Sequence, residues 1–303
     1  MPKYLRVALT EKCPMKCTFC HNEGAGTPDK SSTLSLQYWY KHISDAVENG
    51  IRKVKFVGGE PLLYKELPLL IGRLRKRYPI LDLSIITSGA LPVEKLQRCF
   101  DMGLSRANLS IHGWGLEYFQ RNSNSKIHYV NRQKTLEYLL SLGRPLKLNY
   151  VYSSFDIEED LIEFLMAMKN KKVVINVLDD LSNAMITPQF LVKRLTHLMG
   201  EPLKHRDIDE NSLSTIHLKW GGPMFVEIKD QHLGELSPWK SCDTCPIKER
   251  CTEGIHAIRM YADGTLGLCM DREDLRWNIK FKRDAEYTAM NFVRSHLAIE
   301  SIR

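Results

Sequence analysis

The chain alternates short apolar runs with longer stretches in which apolar residues recur at helical spacing. Short apolar runs are typical of buried strands, whereas a helical stripe is typical of a helix with one buried face. Leu36, Tyr40, Ile43 and Val47 form the first such stripe, which ends at Gly50. The pattern therefore predicts strands and helices in regular succession.

Six units of this kind can be followed along the chain. The predicted strands are Tyr4–Leu9, Val54–Val57, Leu81–Ile86, Arg106–Ile111, Leu146–Tyr152 and Val173–Leu178. The predicted helices after the first are the stripe Leu67, Leu70, Ile71 and Leu74, then Pro92–Met102, Val130–Leu142, Ile157–Met168 and Pro188–Met199. This alternation favours an α/β fold with a parallel sheet, either doubly wound or rolled into a barrel. Since a closed barrel has eight units, six predict a partial (β/α)6 barrel, an open TIM-like fold.

The pattern changes after about residue 205. His205–Ser214 is charged and loop-like, while Thr215–Lys219 and Met224–Lys229 flank Trp220-Gly221-Gly222-Pro223 as the strands of a hairpin would. We therefore expect a barrel over residues 1–205 and a small β-containing domain over residues 206–303. A length of 303 residues, at the upper edge of one hydrophobic core, agrees with this division.

Composition narrows the class of protein. A hydrophobic fraction of 43% with 18 Gly and 13 Pro excludes disordered and collagen-like chains. The sequence contains neither a signal-peptide core at its start nor an apolar run near the roughly 18 residues of a membrane span. We expect a cytoplasmic protein without a membrane partner. The net charge of +7 is spread along the chain, which hints at an anionic substrate but gives little reason to expect nucleic acid.

The eight cysteines carry the candidate chemistry. In a reducing compartment they favour metal binding or catalysis over disulfides. Cys13, Cys17 and Cys20 lie early, four others lie late, and Cys99 falls on the apolar face of a predicted helix as a core thiol would. The sequence thus predicts two separate cysteine clusters.

The first cluster has the spacing C-x3-C-x2-C directly after the first predicted strand. Three thiolates on one tight loop can bind three irons of a cubane and leave the fourth iron without a protein ligand. Zinc would normally recruit a fourth Cys or His, and the neighbouring His21 is poorly placed to complete the same tetrahedron. An open iron is a binding site for a small ligand.

This triplet, followed by His21-Asn22-Glu23-Gly24, resembles the radical S-adenosylmethionine (radical SAM) superfamily, as does Gly58-Gly59-Glu60-Pro61 after the second strand. The resemblance implies a [4Fe–4S] cluster that binds SAM and cleaves it to a 5′-deoxyadenosyl radical, which abstracts hydrogen. It further implies that Gly58, Gly59 and Glu60 take the SAM ammonium group, with glycine letting the main chain approach the ligand. An electron donor such as flavodoxin or ferredoxin is implied as a partner.

Further residues resemble SAM-contacting positions of this superfamily. Thr87 and Ser88 of Thr87-Ser88-Gly89, Ser110 at the end of the fourth strand and Arg121 just beyond it resemble positions that contact the ribose and carboxylate. Asn149 on the fifth strand resembles another SAM-contacting position. For Ser110, Arg121 and Asn149 taken singly, a capping or surface role is the alternative.

The second cluster includes Cys242-Asp-Thr-Cys245 and the segment Ala262-Asp263-Gly264-Thr265-Leu266-Gly267-Leu268-Cys269-Met270. It resembles the C-terminal region of the GTP 3′,8-cyclase family, in which three Cys hold an auxiliary [4Fe–4S] cluster. The resemblance implies such a cluster on Cys242, Cys245 and Cys269, with zinc bound by four Cys as the alternative. Arg259 resembles an arginine near the substrate of that family, with a surface role as its alternative.

Cys251 departs from the cyclase pattern. It extends the motif to C-x2-C-x5-C, a spacing seen in the related SPASM and twitch extensions, so we expect a twitch-like domain. Cys251 would act as a fourth cluster ligand in an electron relay, as a hydrogen donor to a substrate radical, or as a bystander, and spacing leaves these roles open. The ending Ala298-Ile-Glu-Ser-Ile-Arg303, where the cyclase family ends in Gly-Arg-Arg, argues against GTP cyclisation.

The sequence therefore predicts a radical SAM enzyme that acts on a small polar molecule such as a sugar, an aminoglycoside or a nucleotide derivative. Hydrogen abstraction would be followed by epimerisation, oxidation or rearrangement. Maturation of a peptide or protein is an alternative within the same fold. A non-catalytic iron–sulfur or zinc-binding regulator is the alternative from a different class.

Overall fold

The computed structural model describes residues 4–20, 34–123, 125–179, 186–210, 213–229, 240–246, 248, 255, 257–270 and 272–278. Its strands are β1 Tyr4–Ala8, β2 Lys53–Val57, β3 Asp82–Thr87, β4 Arg106–Ile111, β5 Leu146–Tyr152, β6 Val173–Asp179, β7 Lys204–Glu210, β8 Leu213–Lys219, β9 Phe225–Lys229, β10 Ala257–Met260, β11 Thr265–Gly267 and β12 Arg276–Asn278. Its helices are α1 Leu36–Glu48, α2 Leu67–Arg77, α3 Glu94–Asp101, α4 Leu116–Gln120, α5 Lys126–Ser141, α6 Glu158–Met168, α7 Pro188–Met199 and α8 Lys240–Asp243.

The described strands form one open sheet in the order β12-β11-β10-β1-β2-β3-β4-β5-β6-β9-β8-β7. All neighbours from β10 through β1 and β6 to β9 are parallel, and the outer pairs at both ends are antiparallel. Parallel neighbours from β1 to β6 are joined through helices, as such crossovers require. The predicted α/β fold with six strand–helix units is confirmed.

Alternation along the strands divides the sheet into an apolar and a polar face. On β5, Leu148 and Tyr150 are buried against the helices, where Trp39 of α1 and Phe164 of α6 are also fully buried. The intervening residues Lys147 and Asn149 point to the opposite face and are only partly buried. The core thus lies between sheet and helices, and the opposite face is left for polar contacts.

Most predicted element ends agree with the structure to within a few residues. The hairpin predicted around Trp220-Gly221-Gly222-Pro223 is the antiparallel pair of β8 and β9. The prediction that His205–Ser214 forms a loop is wrong, because residues 204–210 form β7 along β8 at the outer end of the sheet. The border predicted between residues 205 and 206 falls within β7, and the division into two domains stays a prediction.

None of the helices in the described parts of the chain is long and apolar enough to cross a membrane.

Candidate active site

The cysteine triplet lies at the carboxyl-terminal edge of the sheet, directly after β1. Because β1 to β5 are parallel, Gly58, Ser88 and His112 follow their strands at the same edge. In open α/β sheets this edge is where ligands bind. The segment that carries the first motif is therefore surrounded by residues from several strand ends.

Gly58 and Gly59 hold the segment that leads into Cys13. Gly59 N donates to Thr10 O at 2.7 Å, and Glu60 N donates to Lys12 O at 2.8 Å. A Cβ on Gly58 would lie 2.3 Å from Thr10 O, and one on Gly59 would lie 2.3 Å from Lys12 O. Glycine is thus required at both positions because the segment after β2 packs against the main chain of Thr10–Lys12, whether or not a ligand also approaches it.

Glu60 brings two predicted SAM-contacting segments together. Its Oε1 accepts from Thr87 Oγ1 at 2.7 Å and from Leu62 N at 3.2 Å, and its Oε2 accepts from Ser88 Oγ at 2.6 Å and from Ser88 N at 2.9 Å. The carboxyl group is 1% exposed. Burial raises the pKa of Glu60, and the hydrogen bonds from Ser88 and Thr87 act in the opposite direction. Glu60 therefore fixes the end of β2 to the end of β3.

The three thiols of the first motif are mutual neighbours. Burial, together with the charge of Cys20, raises the pKa of Cys13 to about 11 and that of Cys17 to about 12. Among the described residues no three Cys, His, Asp or Glu side chains are close enough together to form a metal site, so the side chains of Cys13, Cys17 and Cys20 would have to converge to hold a cluster. A soft, positively charged iron–sulfur cluster would remove the thiol protons and fits a donor set of three thiolates.

The loop after β4 faces the triplet. His112 Nδ1 lies 3.6 Å from Cys17 Sγ, and the His112 ring stacks on Phe19 with 5.7 Å between centroids. Burial, together with the charge of Arg132, lowers the pKa of His112 to about 4, so its imidazole is neutral at physiological pH. No motif in the sequence singles out His112.

A cavity of about 230 Å³ opens beside this loop at the ends of β4 and β5. Its walls include Phe19, His112, Tyr118, Arg121, Asn122 and Ser153. Arg121 pairs with Asp156 and lies over the Tyr118 ring, 4.4 Å from the centroid. Of the predicted SAM-contacting residues, Arg121 thus lines a cavity beside the cysteine loop.

Ser110 and Asn149 begin a polar row on the face of the sheet opposite the helices. Ser110 is in register with Asn149, Asn149 with Asn176, and Asn176 with Glu227. Asn176 Nδ2 donates to Asn149 Oδ1 at 3.2 Å, and Lys147 Nζ donates to Glu227 Oε1 at 2.7 Å. The row stays on this face and crosses the sheet from the predicted SAM contacts on β4 and β5, through β6, to β9.

Basic residues lie on the same face near β1. Arg6 is in register with Arg259 on one side and Lys55 on the other, and Lys55 is in register with Ser84. Arg259 is 5% exposed, and its Nη1 contacts Leu268 O at 3.5 Å. The surface role considered for Arg259 is wrong, since the residue is buried within the sheet.

Part of the second cysteine motif is also described. Cys245 N donates to Cys242 O at 3.2 Å, which forms a turn, and Arg272, three residues after the buried Cys269, bonds to the Cys245 side chain. The segments with Cys242, Cys245 and Cys269 are therefore neighbours. Cys251 lies outside the described residues. Cys99 is fully buried in the core, as predicted.

The geometry of three thiols at a strand end, beside a cavity and a buried Glu60, is that of a cofactor-dependent α/β enzyme. The model of the radical SAM superfamily matches residues 7–168 of the chain. The chain belongs to the radical SAM superfamily, whose members use a [4Fe–4S] cluster and SAM.

Two relatives of known family name are similar to this chain over most of its length. The chain is 30% identical over 277 residues to a probable GTP 3′,8-cyclase of Sulfolobus acidocaldarius, covering 89% of this chain and 82% of the relative. It is 25% identical over 283 residues to the GTP 3′,8-cyclase of Clostridium botulinum strain Okra, with the same coverage. The chain thus resembles GTP 3′,8-cyclases over most of its length, as the motifs predict.

Solved structures share the fold. SuiB of Streptococcus suis, bound to S-adenosylmethionine, superposes with a TM-score of 0.63 at 14% identity, covering 93% of this chain and 64% of SuiB. The structure of anSMEcpe with bound AdoMet gives a TM-score of 0.58 at 14% identity, covering 93% of this chain and 79% of that protein. These structures confirm the predicted open, TIM-like α/β fold.

Proposed function

We propose that this radical SAM enzyme abstracts hydrogen from a small polar substrate, such as a sugar, an aminoglycoside or a nucleotide derivative. The observation that carries the proposal is the contact of Cys17 with His112, which comes two residues after Ser110, where the polar row begins. Epimerisation, oxidation or rearrangement would follow the abstraction.

The first cluster would be held by Cys13, Cys17 and Cys20. Together with SAM it supplies the 5′-deoxyadenosyl radical. Gly58 and Gly59 position the loop, while Glu60 fixes the adjoining strand ends, so that the SAM ammonium group would meet main-chain carbonyls there. Phe19 and Arg121 would orient the adenosyl part of SAM and exclude water from it within the neighbouring cavity.

The substrate would lie along the face opposite the helices. Adjacent strands are about 4.8 Å apart, so three strand steps separate Ser110 from Glu227 by about 14 Å, enough for a small molecule between SAM and Glu227. Lys147 and Glu227 offer a donor and an acceptor for hydroxyl, amino or phosphate groups, and the basic residues around Arg6 favour an anionic group. This polarity supports a hydrophilic substrate.

A second [4Fe–4S] cluster would be held by Cys242, Cys245 and Cys269 in a twitch-like domain within residues 206–303. The neighbouring positions of the Cys245 turn and Arg272 support this proposal. A soluble electron carrier such as flavodoxin or ferredoxin would supply the electron for SAM cleavage.

Anaerobic reconstitution with iron and sulfide tests both clusters. We expect about eight irons per chain, since two cubanes hold four each. Dithionite should then release 5′-deoxyadenosine from SAM, measured by chromatography. Zinc in place of iron, or the absence of SAM cleavage, would contradict the proposed enzyme and favour a binding protein.

The Cys251→Ala variant separates the roles left open for this thiol. We expect the electron paramagnetic resonance spectrum of the second cluster to change and its iron to be lost more readily to a chelator, because the C-x2-C-x5-C spacing supports Cys251 as a fourth ligand and three thiolates remain without it. SAM cleavage at the first cluster should continue. A spectrum and a resistance to chelation unchanged from wild type would contradict the ligand role and favour a hydrogen donor or a bystander.

A further inference from the structure

His112 is placed to act on the first cluster through Cys17. Its Nδ1 lies 3.6 Å from Cys17 Sγ, within the range of a hydrogen bond to sulfur. We propose that His112 donates a hydrogen bond to the Cys17 thiolate and so raises the reduction potential of the first cluster. The inference rests on the proposed function, because it requires a cluster on Cys13, Cys17 and Cys20.

Hydrogen bonds from the cysteine loop help to hold His112 beside Cys17. Lys16 N donates to Asn122 O at 2.8 Å, and Asn122 Nδ2 donates to His112 O at 3.3 Å. The Phe19 ring covers one face of the imidazole at an interplanar angle of 26°. Asn122 thus links the main chain beside Cys17 to that of His112, so the two residues remain neighbours when the thiols gather around a cluster.

The loop that carries His112 is also held on its other side. Asp160, which is 1% exposed, accepts from Trp114 N at 2.6 Å, from Gly115 N at 2.7 Å and from Tyr150 OH at 2.7 Å. A buried carboxylate with three donors is costly to move, because any shift leaves it without its partners. Asp160 is therefore a positioning residue for the loop.

Arg132 also holds the loop that carries His112, from a position within the core. Its fully buried guanidinium donates from Nη2 to Trp114 O at 2.9 Å and lies 5.3 Å from the Phe119 ring centroid and 4.9 Å from that of Tyr129. Its Nε and Nη1 have no hydrogen-bond partner among the described residues. Arg132 thus fixes the Trp114 end of the loop that carries His112.

The hydrogen bond would act by withdrawing electron density from the sulfur. Hydrogen bonds to cluster sulfurs, burial and net charge are the means by which a protein sets the potential of an iron–sulfur cluster. With a higher potential, a physiological carrier reduces the cluster more readily. His112 would thus determine how strong an electron donor the enzyme needs.

The test compares midpoint potentials of the reconstituted full chain by redox titration monitored by electron paramagnetic resonance. The change of the signal on addition of SAM identifies the first cluster. His112→Phe keeps a ring to stack on Phe19 but has no N–H, whereas His112→Asn places an amide nitrogen near the position of Nδ1. His197→Phe, at an exposed site on α7, is the matched control.

We expect a more negative potential in His112→Phe, with values near wild type in His112→Asn and His197→Phe. At a fixed, weakly reducing potential, 5′-deoxyadenosine formation should fall several-fold in His112→Phe alone. An unchanged potential in His112→Phe, or an equal shift in His112→Asn, would overturn the proposal. If His112→Phe loses its iron, His112→Leu is measured in its place. Loss of iron from both variants would overturn the proposal and assign His112 a structural role.

The proposed function fails in a different way. If the wild-type protein has no cluster that responds to SAM, the proposed function itself is refuted.

Discussion

The Cys17→Ala variant is expected to lose SAM cleavage while keeping its fold. Cys17 is the central thiol of C-x3-C-x2-C, and without it two thiolates remain for a cubane that needs three protein ligands. The half-buried Cys17 contributes little to the core, so the secondary structure should be unchanged. We expect 5′-deoxyadenosine formation to fall by more than about a hundredfold, with a loss of about four irons per chain.

Cys99→Ala is the matched control, because it makes the same chemical change in a thiol that belongs to neither cysteine motif. Cys99 is fully buried on α3, so the variant should lose about 1 kcal/mol of stability through a small cavity and retain its iron and its activity. If Cys17→Ala cleaved SAM as fast as Cys99→Ala, the cysteine triplet would not be the site of the reaction.

The Gly59→Ala variant is expected to lose the first cluster without the removal of any ligand. Its new Cβ would lie 2.3 Å from Lys12 O and 2.6 Å from Glu11 O, which are main-chain atoms and cannot rotate away. Overpacking of this kind costs about 1–3 kcal/mol, and here the displaced segment leads directly into Cys13. Thermal unfolding should show the loss of stability, and iron analysis should show poor occupancy of the first cluster.

Gly72→Ala on α2 provides the comparison for this variant. A Cβ there would lie 2.3 Å from Met102 Cε, the mobile end of a flexible side chain, and alanine gains up to about 1 kcal/mol over glycine in a helix. We expect its stability and iron content to match those of the wild type. Normal iron content in Gly59→Ala would show that the cysteine loop tolerates displacement, contrary to the role we assign to Gly59.

The strand–helix units could be predicted from the sequence because each has a strong local pattern. Arg106–Ile111 and Pro188–Met199 were predicted with the ends that the structure has. Strand β7 was missed, because an outer strand rich in charged residues lacks the alternation or apolar run that marks a strand. The pairing of β10 with β1 joins residues about 250 positions apart, and no local pattern contains that information.

The residues of the candidate site that belong to sequence motifs could be predicted, and those brought to it by the fold could not. The cysteine spacing and Gly58-Gly59-Glu60 identify the class of chemistry, whereas the hydrogen bonds that Thr87 and Ser88 donate to Glu60 depend on how adjacent strand ends meet. His112 was left without a role because a histidine in a loop has no characteristic spacing. Arg132 and Asp160 were missed because what distinguishes them is that they are charged and buried. Burial is known only once the chain is folded.

The pairing of β10 with β1 and of β9 with β6 has a consequence for how the enzyme is made. Strands β1 and β6 would both be exposed edges of the sheet if the chain ended after α7. Exposed edges pair readily with other chains and promote aggregation. During synthesis, the first strand therefore stays without one neighbour until residues 257–260 emerge. A nascent or truncated chain should therefore be prone to aggregate.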